Sequence, residues 1–322
     1  TTDRRLQPLP RASDRDATLS SPGYPGEMVE TLNHQEVPGI PGTSIAVTLS
    51  TVSVYPRKVP FAFEIAAELG YDGIEVMVLA DPTSQDRKTL SKLSARYGMP
   101  IRSIHAPTLL LSRRVMGSSP GGKLDQTVTL AEDLGAPTVV VHPPFRWQYR
   151  YARGFAEHVR ELNATRDVTI AVENMYPWRG RKREMKAYLP GWDPTEHDYE
   201  NVTLDLSHAA VARQNSLDLL DVFGGRLAHL HLADGSPSMM DEHLVPGRGD
   251  QPCAEVLTEL SRRQFLGDVV VEISTRRARS AAERVADLAA SLTFARTYLD
   301  PEHHVEYVPP EGSHHRHLDA WQ

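Results

Sequence analysis

The sequence predicts an α/β fold, a single (β/α)8 barrel with N-terminal and C-terminal extensions. Two observations carry that prediction. Eight short apolar, β-branched runs alternate with amphipathic helical stretches, the pattern of βαβ units and a parallel sheet. No Gly-x-Gly-x-x-Gly follows the first run, which removes the support for an open dinucleotide-binding sheet. The runs are 44–50 (SIAVTLS), 73–79 (GIEVMVL), 101–105 (IRSIH), 138–142 (TVVVH), 168–173 (VTIAVE), 202–207 (VTLDLS), 227–232 (LAHLHL) and 268–273 (DVVVEI). Between them lie PFAFEIAAELG, KLDQTVTLAEDLG, GFAEHVRELN, CAEVLTELSRR and SAAERVADLAASLTFARTYL. The first three end in Gly70, Gly135 and Asn163, read as left-handed helix caps.

Residues 1–43 are rich in Pro, Gly, Ser, Thr and charge and read as an irregular extension; residues 44–299 form the barrel. Residues 300–322 form an irregular tail holding five of the 14 histidines, where metal binding would be adventitious, so these stay outside the candidate site. The lone cysteine, Cys253, precludes an internal disulfide and reads as a small packing residue. The polar start TTDRRLQPLP lacks a signal-peptide apolar stretch, and no run approaches the roughly 20 apolar residues of a membrane span. The expected location is the cytoplasm, with no membrane partner. A net charge of -7 argues against indiscriminate binding to nucleic acid.

The polar residues inside the strands point to chemistry. Strand three ends in His105, strand four in His142 and strand five in Glu173. Strand six carries Asp205 with His208 three residues on, strand seven ends in His231, and strand eight carries Glu272. Barrel enzymes place their reactive groups at these C-terminal strand ends. Alternation puts Thr169, Ala171 and Glu173 on one face, likewise Thr203 with Asp205 and His229 with His231. The loop after strand seven adds Asp241 and His243. Singly, each has a plain structural explanation: a hydrogen-bonded core histidine, Asp205 as a helix cap, Glu272 paired with a loop arginine. Together, buried carboxylates and imidazoles converging on one mouth call for a cation. Mixed nitrogen and oxygen donors suit Zn, Mn or Fe better than Mg or Ca.

The motifs HAP (105–107), HPP (142–144), VEN (172–174), DLSH (205–208), HLADG (231–235), DEHLVPGRG (241–249) and VEIS (271–274) stand in one order over roughly residues 44–298. In this the chain resembles the xylose-isomerase-like, AP-endonuclease family of TIM barrels. The resemblance implies one of two chemistries. A sugar or sugar phosphate isomerase or epimerase would hold one divalent ion, zinc or manganese, on Glu173, Asp205, His231 and Glu272. An endonuclease IV-like phosphodiesterase acting on abasic DNA would hold three ions. It would add His105 and His142 with a bridging Glu173, and a set of His208, Asp241 and His243. All nine positions are filled, which suits the hydrolase. Thr108 after HAP, NMYPW after the strand-five glutamate, and ELGYDGIEVMV suit the isomerase.

The loops after the strands are basic and aromatic: Arg113, Arg114, Arg146, Arg150, Arg153, Arg179, Arg181, Lys182, Arg183, Arg248, Arg276, Arg277 and Arg279, interleaved with Trp147, Tyr149, Tyr151, Tyr176 and Trp178. A cationic rim suits a small anionic substrate, with nucleic acid reserved for the hydrolase reading. The favoured reading is therefore a metal-dependent isomerase or epimerase of a sugar, sugar phosphate or related polyol. Glu173 and Glu272 would be its acid/base pair, His208 would stand beside them, and Arg248 would anchor substrate.

Overall fold

Alternation of side chains along each strand decides what faces the barrel's interior and what faces its helices. The computed structural model describes residues 45–108, 115–179 and 184–300. The extension over residues 1–43 and the tail beyond Asp300 lie outside the described residues, as do Arg113, Arg114, Arg181, Lys182 and Arg183.

Eight parallel strands close into a barrel: β1 (Val47–Ser50), β2 (Gly73–Met77), β3 (Ile101–His105), β4 (Thr138–Val141) and β5 (Thr169–Glu173) come first. A small antiparallel hairpin, β6 (Trp178–Arg179) and β7 (Glu184–Met185), sits in the loop that follows. Then come β8 (Val202–Asp205), β9 (Leu227–Leu232) and β10 (Asp268–Val271), which pairs with β1 and completes the ring. All eight predicted runs contain these strands.

Val47 and Leu49, Ile74 and Val76, Val139 and Val141, Ile170 and Val172, and Leu230 and Leu232 join one apolar layer between strands and helices. Burying each such side chain stabilises the fold by about 1.5–3 kcal/mol. Val140, Ala171 and Val270 are buried as fully yet lie outside that layer, because they face the barrel axis. The outer layer thus supplies most of the apolar burial and leaves room on the axis for polar residues.

The helices are α1 (Val59–Leu69), α2 (Arg87–Tyr97), α3 (Pro120–Leu134), the short α4 (Tyr149–Ala152), α5 (Phe155–Thr165), α6 (Leu206–Ala212), α7 (Ser216–Phe223), α8 (Cys253–Arg262) and α9 (Ala281–Leu299). α2 escapes the periodicity reading because it buries only Leu90 and Leu93. Gly70 and Gly135 cap α1 and α3 with φ of 82° and 69°, as expected of left-handed caps. Asn163 does not cap: α5 runs on to Thr165. Its amide instead clasps the backbone of Ile170, accepting from that N–H at 2.8 Å and donating to its carbonyl at 3.2 Å. Cys253 is buried, as its packing role requires. No helix among the described residues is long and apolar enough to cross a membrane.

The Asn163 clasp joins α5 to the strand that delivers Glu173. Asn163→Ala leaves both backbone groups of Ile170 without these partners, and should lower unfolding free energy by about 1–3 kcal/mol in urea titration. A loss under half that size would show the clasp to be dispensable.

Candidate metal centre

Six of the eight barrel strands deliver a donor to the mouth at or next to their C-terminal ends. His105 and Glu173 end β3 and β5, and His142 and Glu272 follow β4 and β10 directly. Asp205 ends β8 and serves two purposes: its Oδ1 caps α6 by accepting the His208 N–H at 2.6 Å, and its Oδ2 is buried with no hydrogen-bond partner among the described residues. His208 rides on the first turn of α6, so the cap places that ring as well.

Glu173 lies at the centre. Its Oε2 is 3.0 Å from His105 Nε2 and 2.8 Å from His142 Nε2. Its Oε1 is 3.1 Å from His208 Nδ1 and 3.3 Å from His231 Nδ1. That same His231 nitrogen lies 2.7 Å from Glu272 Oε2 and 3.6 Å from Asp205 Oδ2. On the far side, Asp241 Oδ2 stands 3.2 Å from His208 Nε2 and 3.1 Å from His243 Nε2. Three overlapping groups result, each with donor atoms within 4.8 Å of one another: Glu173, Asp205 and His231; His105, His142 and Glu173; and Asp205, His208 and His243.

The imidazoles show why a cation belongs among them. His105 Nδ1 is 2.7 Å from the Ala106 carbonyl, His208 Nδ1 is 2.9 Å from that of Asn174, and His243 Nδ1 is 2.7 Å from that of Glu272. A carbonyl only accepts, so these nitrogens carry the hydrogen, and a neutral ring would turn a bare Nε2 lone pair toward a carboxylate. Such a contact holds only with a proton or a metal ion between the two. The electrostatics agree. Burial raises the Glu173 carboxyl, but His142 and His231 outweigh it and hold it well below the usual range. Burial lowers His208, but Asp205 and Asp241 outweigh it and lift it well above the usual value. His243 is driven by Asp241 and Asp205, against burial, to about 10. His142 alone of the five is lowered, since burial exceeds the pull of Glu173. The donor set, the orphaned Asp205 oxygen and these facing lone pairs fit a divalent ion. The plain readings of Asp205 and Glu272 resolve differently: Asp205 does cap its helix, whereas the ion pair of Glu272 is with His231, not a loop arginine.

The loop carrying Asp241 and His243 is tied down by Asp234, whose carboxylate accepts from the backbone N–H groups of Gly235, Gly247, Gly249 and Gln251. A Cβ at Gly249 would fall 2.4 Å from Asp234 Oδ1, so the PGRG turn needs that glycine. Ser207 completes the brace, donating to Asp241 at 2.8 Å and accepting from the His243 N–H at 3.0 Å.

Three expectations are corrected. Arg248 is no member of the cluster: its side chain is 58% exposed and its guanidinium pairs with Asp287 of α9 at 2.8 Å, where a local carboxylate satisfies it. Tyr151 turns inward, packing edge-on to Phe155 and bonding His158, rather than joining the rim. Much of the described basic rim is internally engaged: Arg153 with Tyr149, Arg276 over Tyr55, and Arg279 with Glu283. Arg146 and Arg150 are exposed next to Trp147 and Tyr149 in the chain, and Arg277 is exposed after the last strand. One residue was missed entirely: Glu75 of β2, wholly buried beneath the cluster. Its signal was a carboxylate inside the apolar run GIEVMVL.

A closed parallel barrel with a histidine and carboxylate cluster at the C-terminal ends of its strands defines a class of barrel with metal-type sites. The chain belongs to the xylose isomerase-like TIM barrel family, whose profile matches residues 63–298. It is 51% identical over 275 residues to an uncharacterised protein of Mycobacterium tuberculosis (strain ATCC 25618 / H37Rv), covering 80% of this chain and 98% of that one. It is 23% identical over 237 residues to fructoselysine 3-epimerase of Shigella flexneri, covering 66% of this chain and 84% of the relative. Among solved structures it superposes on a D-tagatose 3-epimerase-like protein with TM-score 0.57 and 22% identity, covering 78% and 98% of the two chains. A D-allulose 3-epimerase from Methylomonas sp. in complex with D-allulose gives 0.56 and 16%, covering 79% and 97%.

Histidines whose pKa is raised on folding stabilise fully below the unfolded value of about 6.5 and lose that contribution as pH climbs through the folded value. For His243 that window runs from about 6.5 to about 10. The metal-free protein should therefore lose melting temperature across it, at about 2–4 °C per kcal/mol. With Zn2+ or Mn2+ added the slope should flatten, because metal-bound rings hold no proton on the ligating nitrogen. An identical slope with and without metal would remove the cation from this cluster.

Proposed function

We propose that the chain is a divalent-metal-dependent isomerase or epimerase acting on a sugar, sugar phosphate or related polyol. The observation that carries this reading is the convergence of Glu173, Asp205 and Glu272 on one nitrogen of His231, which places two glutamates about a single ion position. The printed activities of the relatives at lower identity, fructoselysine 3-epimerase among them, support the same class.

Glu173, Asp205, His231 and Glu272 would hold the ion, which when bound polarises the substrate's carbonyl or adjacent hydroxyl and acidifies the carbon beside it. The chain's own groups move the proton. One glutamate would take the proton from that carbon while the other, entering the step protonated, would give its own proton to the opposite face, so that the epimer forms and the two glutamates exchange protonation states. The neighbouring histidines hold the buried Glu173 carboxyl well below the usual range, so it is ionised in the metal-free cluster. His105, His142 and the Asp241–His243 pair would then bind and orient substrate oxygens. The exposed Arg146, Arg150 and Arg277 would favour a phosphorylated or otherwise anionic form.

Glu272→Gln tests the role of the second glutamate. With Mn2+ present, wild-type protein should interconvert ketose epimers in D2O with deuterium entering at the carbon beside the carbonyl. The variant should lose about 100-fold or more in turnover while still binding metal. Undiminished turnover would refute its role as a catalytic base.

A second reading draws on three overlapping donor groups, which share most members with the ligand sets that the resemblance implies for a multi-zinc phosphodiesterase, although Asp205 rather than Asp241 joins His208 and His243. Elemental mass spectrometry of untagged protein purified without chelator separates the two. About one ion per chain, manganese above all, supports the isomerase. About three, mostly zinc, together with cleavage of abasic-site DNA, supports the hydrolase.

A further inference from the structure

Below the cluster, toward the barrel's interior, a second polar layer centres on Glu75. It is fully buried, and the partners of its Oε2 are Ser103 Oγ at 2.9 Å, His229 Nε2 at 3.0 Å and His231 Nε2 at 3.3 Å. Its ion pairs among the described residues are to these two histidines alone; no lysine or arginine reaches it. A carboxylate so placed costs several kcal/mol in desolvation unless its partners offset it. Its strand neighbours in register, Ser50 and Ser103, offer only hydroxyls.

The orientation of His231 explains what the carboxylate does. His105, His208 and His243 each lean Nδ1 on a backbone carbonyl, and His105 turns Nε2 to Glu173 while the other two turn it to Asp241. His231 is reversed: Nδ1 faces Glu173, Asp205 and Glu272, and Nε2 points down the axis. Among the described residues no backbone carbonyl supports its rear nitrogen; Glu75 stands there. We propose that Glu75 is the positioning residue of His231, holding the hydrogen on Nε2 so that Nδ1 presents its lone pair to the divalent ion. A carboxylate in this place raises the basicity of the ligating nitrogen more than a carbonyl does. Ser103 and His229, donating to the same oxygen, fix the carboxylate in turn.

This inference deepens the proposed function and rests on an ion bound at Glu173, Asp205, His231 and Glu272. Its test is the affinity of full-length wild type and Glu75→Gln for Zn2+ and Mn2+, measured by competition with a chelator. Loss of a carboxylate behind a metal-bound histidine weakens binding by about 10–100-fold, and that loss is expected here beyond any change in the melting temperature of the metal-free protein. A variant that melts lower yet binds as tightly as wild type would make Glu75 purely structural and overturn the proposal.

Should Glu75→Gln fail to fold, 15N NMR of the imidazoles in zinc-loaded wild type decides. Coordination of His231 through Nδ1, with the proton on Nε2, is expected. Zinc on Nε2 would overturn the assignment and would point instead to an ion held directly by Glu75, His229 and His231. The two levels of failure stay distinct. A wild type that takes up no divalent ion removes the centre and this inference together, whereas equal affinities remove only the role of Glu75.

Discussion

Glu173 is the constraint from which the rest of the site follows. It is a fully buried carboxylate whose two oxygens face four imidazoles from four different elements. An isolated carboxylate there would cost many kcal/mol, so the surrounding residues must supply positive charge. They do so with groups that carry it only conditionally. Imidazole gives its proton up to a metal ion where lysine or arginine would keep theirs, so the same pocket can be neutralised by protons or by a cation. That exchange is what fits the cluster to hold a metal ion as well as a set of buried ion pairs.

Holding such a cluster open requires that each ring and carboxylate be fixed by something other than its neighbours in the cluster. The scaffold meets this need with backbone. Three Nδ1 groups rest on carbonyls at strand or loop ends, Asp205 is held by the first turn of α6, and Asn174 bonds both backbone groups of Asp205 at 2.7 and 3.0 Å. Asp234 gathers four backbone N–H groups to set the loop that brings Asp241 and His243 over the mouth. Fixed supports of this kind keep a site in order before its ligand arrives and limit the rearrangement binding would otherwise demand. At the opposite end, Arg102 of β3 forks onto Asp268 of β10 at 2.8–3.0 Å, linking two strands that are not neighbours in the ring. The barrel is tied at its base and polar at its mouth.

What sequence reasoning could see depended on periodicity and on position along a strand. The eight strands were legible because each outward-facing set is a run of Val, Ile and Leu that reads the same wherever it occurs. His105, His142, Glu173, Asp205, His231 and Glu272 were legible because they interrupt those runs at their C-terminal ends. Glu75 interrupts its run too, but in the middle of β2, where no rule about barrel mouths points; only the crossing of the barrel axis brings it against His229 and His231. Arg248 failed in the opposite way. Its motif placed it beside the site, but a side chain that long takes the carboxylate it can reach, and Asp287 lies over a hundred angstroms of extended chain further on in sequence while sitting adjacent in space. Asn163 misled for a related reason: an amide near a helix end reads as a cap, and its use as a clasp for a neighbouring strand is a tertiary fact.

The count of donors does not by itself choose a reaction. Nine filled positions satisfy the requirement of three ions, but His105, His142 and Asp241 with His243 could equally bind the oxygens of a polyol, for which an imidazole or carboxylate serves as well as it does a metal. The difference between the two chemistries lies in what must be held. A phosphodiester displacement needs charge on both the attacking and the leaving oxygen, hence several ions. A proton shift at carbon needs one ion and two bases flanking it, and the shortest imidazole–carboxylate contact in the mouth, Glu272 to His231 Nδ1 at 2.7 Å, belongs to a gathering of Glu173, Asp205 and Glu272 about one such position. Beneath that position lies the carboxylate of Glu75, which no hydrolytic step would use but which any ion bound through His231 would feel. The deeper layer of the barrel would therefore strengthen one ion position in particular, the one that the isomerase and epimerase reading needs and that the hydrolase reading shares.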